Sequence, residues 1–170
     1  MRISRRSFLI GALVAGGGLA WAKPVPAAGA AIIRMMSATD GSDVWFDPIG
    51  LWVPPGTAVT WSNGPDQANT HTATAYHPAN GRHQLRIPEG APPWDSGPLL
   101  PGGSFSVTLE RDGVYDYFCQ PHESAGMVGR IVVGDPRRSA ARPFDVEVPA
   151  AARQAFPAVD AILREKIVRR

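Results

Sequence analysis

Gly113-Val114-Tyr115-Asp116-Tyr117-Phe118-Cys119-Gln120-Pro121-His122-Glu123-Ser124-Ala125-Gly126-Met127 carries both the fold and the chemistry of this chain. Its first half alternates with the two-residue period of a strand. Tyr115, Tyr117 and Cys119 share one face, and Val114, Asp116 and Phe118 the other. The second half is a turn in which a thiol, an imidazole and a thioether recur as Cys-x2-His-x4-Met.

Working outward, Asp112-Gly113 turns the chain, and before it Ser104–Leu109 alternates with Phe105, Val107 and Leu109 inward. After the turn, Gly129 to Val133 forms another β-prone run. Upstream, Ile32–Met36, Val44–Phe46 (stopped by Asp47-Pro48), Leu51–Val53, Thr57–Trp61 and His71–Tyr76 are short extended stretches. Pro54-Pro55-Gly56 and Asn63-Gly64-Pro65-Asp66 are turn signals between them. Seven or eight short strands without a helical period predict an all-β antiparallel sandwich. From His77 to Gly103 the pattern lapses into a long loop with six prolines, anchored at its far end by Trp94.

The ends of the chain differ from this middle. Ser4-Arg5-Arg6-Ser7-Phe8-Leu9 leads an apolar run of 13 residues, Phe8 to Ala20. That length fits an export signal and falls short of the roughly 20 residues a membrane span needs. The paired arginines resemble a twin-arginine signal, with Ala20-Trp21-Ala22 and Ala28-Gly29-Ala30 as cleavage options. Residues 1–30 are therefore expected to be an address, and the remainder to work outside the cytoplasm, in a periplasm. At the other end, the stretch 136–149 is polar and expected to wrap the surface. Beyond Pro157, Val159, Ile162, Leu163 and Ile167 make a helical stripe expected to dock on the sandwich. The division expected is thus 1–30 export signal, 31–134 β-domain, and 135–170 C-terminal helical extension.

Charge narrows the function classes. Residues 1–30 hold four basic side chains and no acid, whereas residues 31–134 hold five basic and ten acidic ones. The basic pI is a property of the leader and the tail, and no basic, aromatic-interleaved face for nucleic acid is present.

Cys119 is the sole cysteine among 170 residues, so it cannot close an intrachain disulfide. It is a core residue, a reactive thiol or a metal ligand. Soft thiolate and thioether ligands hold Cu(I), and imidazole serves both copper oxidation states. A further strong ligand is required, and His71, 48 residues before Cys119, opens a strand that could neighbour the cysteine strand. His71, Cys119 and His122 would form a trigonal set, with Met127 as a long axial ligand to one copper ion. His77 and His83 read as solvated loop histidines, Met35 and Met36 as packing residues, and Glu123 as an exposed acid.

The loop, together with Tyr115, Phe46-x-Pro48, Gly56-x-x-Val59-x-Trp61 and Gly129-x-Ile131-Val132-Val133, resembles the cupredoxins, most closely plastocyanin and pseudoazurin. The resemblance covers roughly residues 31–134. It implies an eight-stranded Greek-key sandwich and a type 1 copper site. It also implies a one-electron carrier, not an enzyme, with the edge of His122 as the electron exit. Transient redox partners (a cytochrome, a dehydrogenase or an oxidase) are expected, and no membrane span in the mature form. The alternative is copper storage or delivery without redox cycling. A multicopper oxidase would need more than 170 residues and more than four histidines. The proline-rich loop, the tail and the Tyr117-Phe118 order depart from the family pattern.

Overall fold

A computed structural model describes residues 29–81, 83–138 and 148–170. The leader expected at 1–30 lies, up to residue 28, outside the described residues, as does most of the 136–149 stretch.

In chain order the elements are β1 (Ala30–Ser37), β2 (Val44–Asp47), β3 (Gly50–Val53), β4 (Thr57–Asn63), β5 (Thr74–Ala75), β6 (Ser104–Leu109) and β7 (Gly113–Phe118). A 3-10 helix over Gln120–Ala125 follows, then β8 (Val128–Val133), α1 (Ala150–Ala155), α2 (Val159–Glu165) and β9 (Ile167–Val168). The strands form two sheets, ordered β2-β1-β4-β6 and β5-β7-β8-β3-β9. The expected all-β sandwich with a helical C-terminal extension is what the chain forms.

Two details go beyond the antiparallel expectation. β1 pairs with β4, and β3 with β8, in parallel. Both follow from the chain changing sheets between β2 and β3, which brings strands distant in sequence side by side in one direction. The ninth strand comes from the tail: β9 adds to the open edge of β3, covering hydrogen-bonding groups that an edge strand would leave unpaired.

The inner faces meet in one core that includes Ile33, Met35, Phe46, Val59, Trp61, Tyr115, Tyr117, Ile131, Cys119 and Met127. Each such side chain contributes about 1.5–3 kcal/mol by leaving water. Trp61 sits edge-on to Tyr117 at 5.1 Å and against Trp94 at 5.6 Å, so the proline-rich loop does return to the core through Trp94. Gly129 permits close strand packing, because a Cβ there would lie 2.2 Å from the Tyr117 hydroxyl.

The outer face of β7 is buried as well. Asp116 is fully buried and faces two guanidinium groups, those of Arg86 from the long loop and Arg130 from β8. Arg130 also donates to the Pro157 carbonyl at 2.8 Å, and the Phe156 ring lies 4.9 Å from both guanidinium carbons. Phe118 and Val128 pack with Tyr76, Val148 and Ala152, and Val114 and Val132 with Ile162. The tail thus covers a sheet face that alternation alone leaves open to water.

The tail's helix is shorter than its stripe. It ends at Glu165, where Lys166 takes a left-handed φ of 65° and its N–H bonds the Ile162 carbonyl. Ile167 then leaves the stripe, because pairing with Leu51 in β9 satisfies its backbone, and its side chain is largely exposed. The alanine-rich α1 has no sequence-pattern counterpart. Among the described residues, no helix is long and apolar enough to cross a membrane.

Candidate metal centre

The loop after β7 is closed by its own backbone. His122 N–H donates to Cys119 O at 3.0 Å, Gly126 N–H to Glu123 O at 2.9 Å and Met127 N–H to His122 O at 3.1 Å. Cys119 N–H bonds back to Met127 O at 3.0 Å. Pro121 suits the first turn of the 3-10 helix, where its missing N–H is not needed. Gly126, at φ 87°, provides the left-handed exit. Cys119, His122 and Met127 are thereby held around one turn, with Cys119 and Met127 fully buried and His122 partly exposed.

His71 arrives from elsewhere in the chain. It pairs with Leu99 through two backbone bonds, His71 N–H to Leu99 O at 3.2 Å and Leu99 N–H to His71 O at 2.8 Å. The buried Asn63 amide donates to Asn69 O and to Leu99 O, both at 2.9 Å, and so ties both flanks of His71 to the end of β4. Ser37 Oγ lies 2.9 Å from His71 Nε2. A proton held on Nε2 and donated to Ser37 leaves the Nδ1 lone pair facing Cys119.

Cys119 Sγ lies 3.7 Å from His71 Nδ1 and 3.3 Å from His122 Nδ1. One donor atom from each of the three residues falls within 4.8 Å of the others. Sulfur and imidazole ligands at the usual metal distances, spread by 120°, would sit about 3.8 Å apart, so the trio has the spacing to hold one ion. The chemistry of the set, a thiol with two imidazoles and a buried thioether nearby, fits copper. Among the described residues no other histidine, cysteine and carboxylate cluster could hold a metal.

Burial shapes the protonation of the metal-free site. It pushes the Cys119 thiol up to about 11, opposed by the Thr72 N–H that points at the sulfur from 3.3 Å. Burial, then repulsion from His122, lowers His71 to about 4, and burial also lowers His122. At neutral pH the pocket is an uncharged thiol between two uncharged imidazoles. A cation held there would favour the thiolate form of Cys119, whose proton would leave to solvent.

Three supporting residues escaped sequence reasoning. Asn63 was legible only as part of a turn signal. Ser37 carries no local mark. Thr72 accepts from Gln120 N–H at 2.8 Å and meets Thr74, whose hydroxyl reaches Asp95, which also accepts from the Gln120 amide. The expected exposed role of Glu123 is corrected. Its side chain is 14% exposed and accepts a 2.7 Å hydrogen bond from Tyr76, because the long loop folds over it. His83 is likewise packed against the Tyr76 and Phe118 rings rather than freely solvated, while His77 Nδ1 accepts from Ala79 N–H at the surface.

The profile of a family described as copper binding proteins, plastocyanin/azurin family, matches residues 33–134. A chloroplastic plastocyanin of Tetradesmus obliquus is 30% identical over 132 residues, covering 72% of this chain and 77% of its own. The plastocyanin of Sambucus nigra is 30% identical over 99 residues, covering 58% and 96%. Among solved structures, a pseudoazurin from Sinorhizobium superposes with a TM-score of 0.54 at 27% identity, covering 81% of this chain and 98% of that one. A pseudoazurin from Methylobacterium extorquens, at 22% identity, superposes with a TM-score of 0.55 over 80% and 98%, a likeness of fold.

Proposed function

This chain belongs to the plastocyanin/azurin family of copper-binding proteins, and from that premise we propose that it carries single electrons between redox proteins. His71, Cys119 and His122 would hold the copper ion, with the Met127 thioether as a further, weaker ligand. The observation that carries the reading is the Cys119 Sγ with the two Nδ1 atoms at 3.3 and 3.7 Å, anchored on two different parts of the sandwich. Copper supplies a one-electron Cu(I)/Cu(II) couple there; everything else is the work of the chain.

The backbone-closed loop keeps Cys119, His122 and Met127 in one arrangement, and Asn63 and Ser37 do the same for His71. Ligands held this way move little when charge changes, which keeps the reorganisation energy of transfer low. Burial of Cys119, His71 and Met127 excludes water, and the partly exposed His122 ring offers the path to a partner. In this reading the protein is a carrier rather than an enzyme, as its membership of the plastocyanin/azurin family supports.

Residues 1–30 act as a twin-arginine export signal in this reading, residues 31–134 form the copper domain, residues 135–170 its extension, and the protein works in a periplasm. The loops at the copper end, 38–43, 64–70, 95–103 and 119–127, contain no Lys or Arg and present Asp40, Asp66 and Asp95, while Asp43 is paired with Arg170 of the tail at 2.8 Å. A cytochrome, dehydrogenase or oxidase with a basic docking face is favoured over an acidic one.

Titrating the purified protein with Cu(II) tests the site. An intense thiolate-to-copper band that bleaches on reduction and returns on oxidation is expected, and it should be absent from Cys119→Ser. Stoichiometric copper uptake without colour would sink the assignment. Stopped-flow mixing of the reduced protein with a basic ferricytochrome c should show exchange that slows as salt screens the charges. Absence of exchange over seconds would point to copper storage instead.

A further inference from the structure

Glu123 sits between His122 and Met127 in sequence. Its carbonyl accepts from Gly126 N–H at 2.9 Å, and its carboxylate accepts from the Tyr76 hydroxyl at 2.7 Å. Tyr76 is fully buried. Its own N–H donates to Asp116 O on β7 at 3.1 Å, and its carbonyl accepts from Arg86 N–H at 2.9 Å. Its ring lies 4.5 Å from Phe118 and 5.9 Å from Phe156 of the tail. On the opposite flank of the loop, a Cβ on Gly126 would come within 3.3 Å of the Ala151 carbonyl of α1. The turn that presents two of the ligands beyond Cys119 is therefore held between the sheet and the C-terminal extension.

We propose that Tyr76 is a positioning residue for the metal loop, acting through its buried hydrogen bond to Glu123, and that α1 and Phe156 seal that bond from water. This rests on the copper reading for its consequence and on the hydrogen bond alone for its mechanism. A hydrogen bond to a carboxylate shielded from solvent is among the stronger ones a side chain makes. Among the described residues, its loss frees the one side-chain tether on Glu123 that is shorter than the 3.9 Å approach of His83.

The test begins with amide hydrogen exchange of the metal-free, full-length protein. In Tyr76→Phe, the amides of His122, Gly126 and Met127 are expected to exchange about ten-fold faster, while those of β4 and β6 in the other sheet stay unchanged. Glu123→Gln keeps an acceptor oxygen but not the charge and should fall between the unmodified protein and Glu123→Ala; Glu123→Ala should match Tyr76→Phe, and it reports the same bond if Tyr76→Phe does not fold. In copper-loaded protein, Tyr76→Phe, which leaves every formal charge in place, should shift the reduction potential and the relative intensities of the thiolate bands. Unchanged loop amides overturn the proposal. So does an equal rise in both sheets, which would mark a packing defect, or a Glu123→Gln variant as fast as Glu123→Ala. Failure to bind copper would strike the preceding reading and leave the exchange result standing.

Discussion

Acidifying the metal-free protein should remove about 3 kcal/mol of folding stability between pH 6.5 and 4, chiefly through His71. This imidazole is fully buried, bonded by Ser37 Oγ at 2.9 Å on one nitrogen and 3.7 Å from Cys119 Sγ on the other. Burial first, and His122 second, depress it from 6.5 to about 4. A drop of about 2.5 units at about 1.36 kcal/mol each gives roughly 3 kcal/mol. Between those two values the unfolded chain binds a proton that the folded chain refuses, so stability rises with pH across the window. The contribution is complete above pH 6.5 and lost as pH falls to 4, below which both states are protonated. His122, lowered by burial, acts in the same direction. Cys119 sets the opposite limit: its thiol is raised to about 11, so its contribution holds below about pH 9 and fades as pH rises towards 11. Urea unfolding followed by tryptophan fluorescence at half-unit pH steps measures this, with His71→Asn as the control that removes the group but keeps a polar side chain. Subtracting the control isolates His71 from the carboxylates that titrate below pH 5. Parallel curves for the two proteins between pH 4.5 and 6.5 would refute the reasoning. Saturating copper should move the window downward, since metal and proton compete for the same nitrogen.

Three further outcomes are expected. Asp116→Asn removes the buried carboxylate that faces Arg86 and Arg130, and should destabilise the protein by about 3 kcal/mol in urea unfolding; a loss under about 1 kcal/mol would show that the guanidinium–Phe156 stack holds the tail without it. Gly126→Ala places a Cβ at φ 87° and 3.3 Å from the Ala151 carbonyl, so it should cost about 1–2 kcal/mol in thermal or urea unfolding; an unchanged midpoint would mean that α1 gives way freely. Copper(II) uptake at pH 7.5 should release about one proton per ion in a pH-stat, from Cys119, because both imidazoles are already neutral; no release would exclude thiolate ligation.

The legible and the hidden parts of the site divide along separation in the chain. Cys119, His122 and Met127 could be read together because nine residues of backbone leave them little room to be apart. The alternation of β6 and β7 was readable for the same local reason. The grouping of His71 with them rests on spacing; what holds it there, Asn63 reaching Leu99 across 36 residues and Ser37 reaching His71 across 34, leaves no pattern. Tyr76 looked like a strand residue and Glu123 like a solvated acid, since nothing in their neighbourhoods says that the long loop brings them within 2.7 Å.

By itself, then, the sequence determined the turn that groups Cys119, His122 and Met127 and the all-β character of the middle hundred residues, because bond lengths and the two-residue strand period act within a few residues. The tertiary structure alone decided which nitrogen of His71 faces the sulfur and that both faces of β7 are buried. It also decided that the tail splits its stripe between α2 and an added strand, and that the metal loop is gripped from both flanks. Those outcomes depend on which strands become neighbours and in what register, and that is settled only when distant surfaces compete to leave water and pair their backbones.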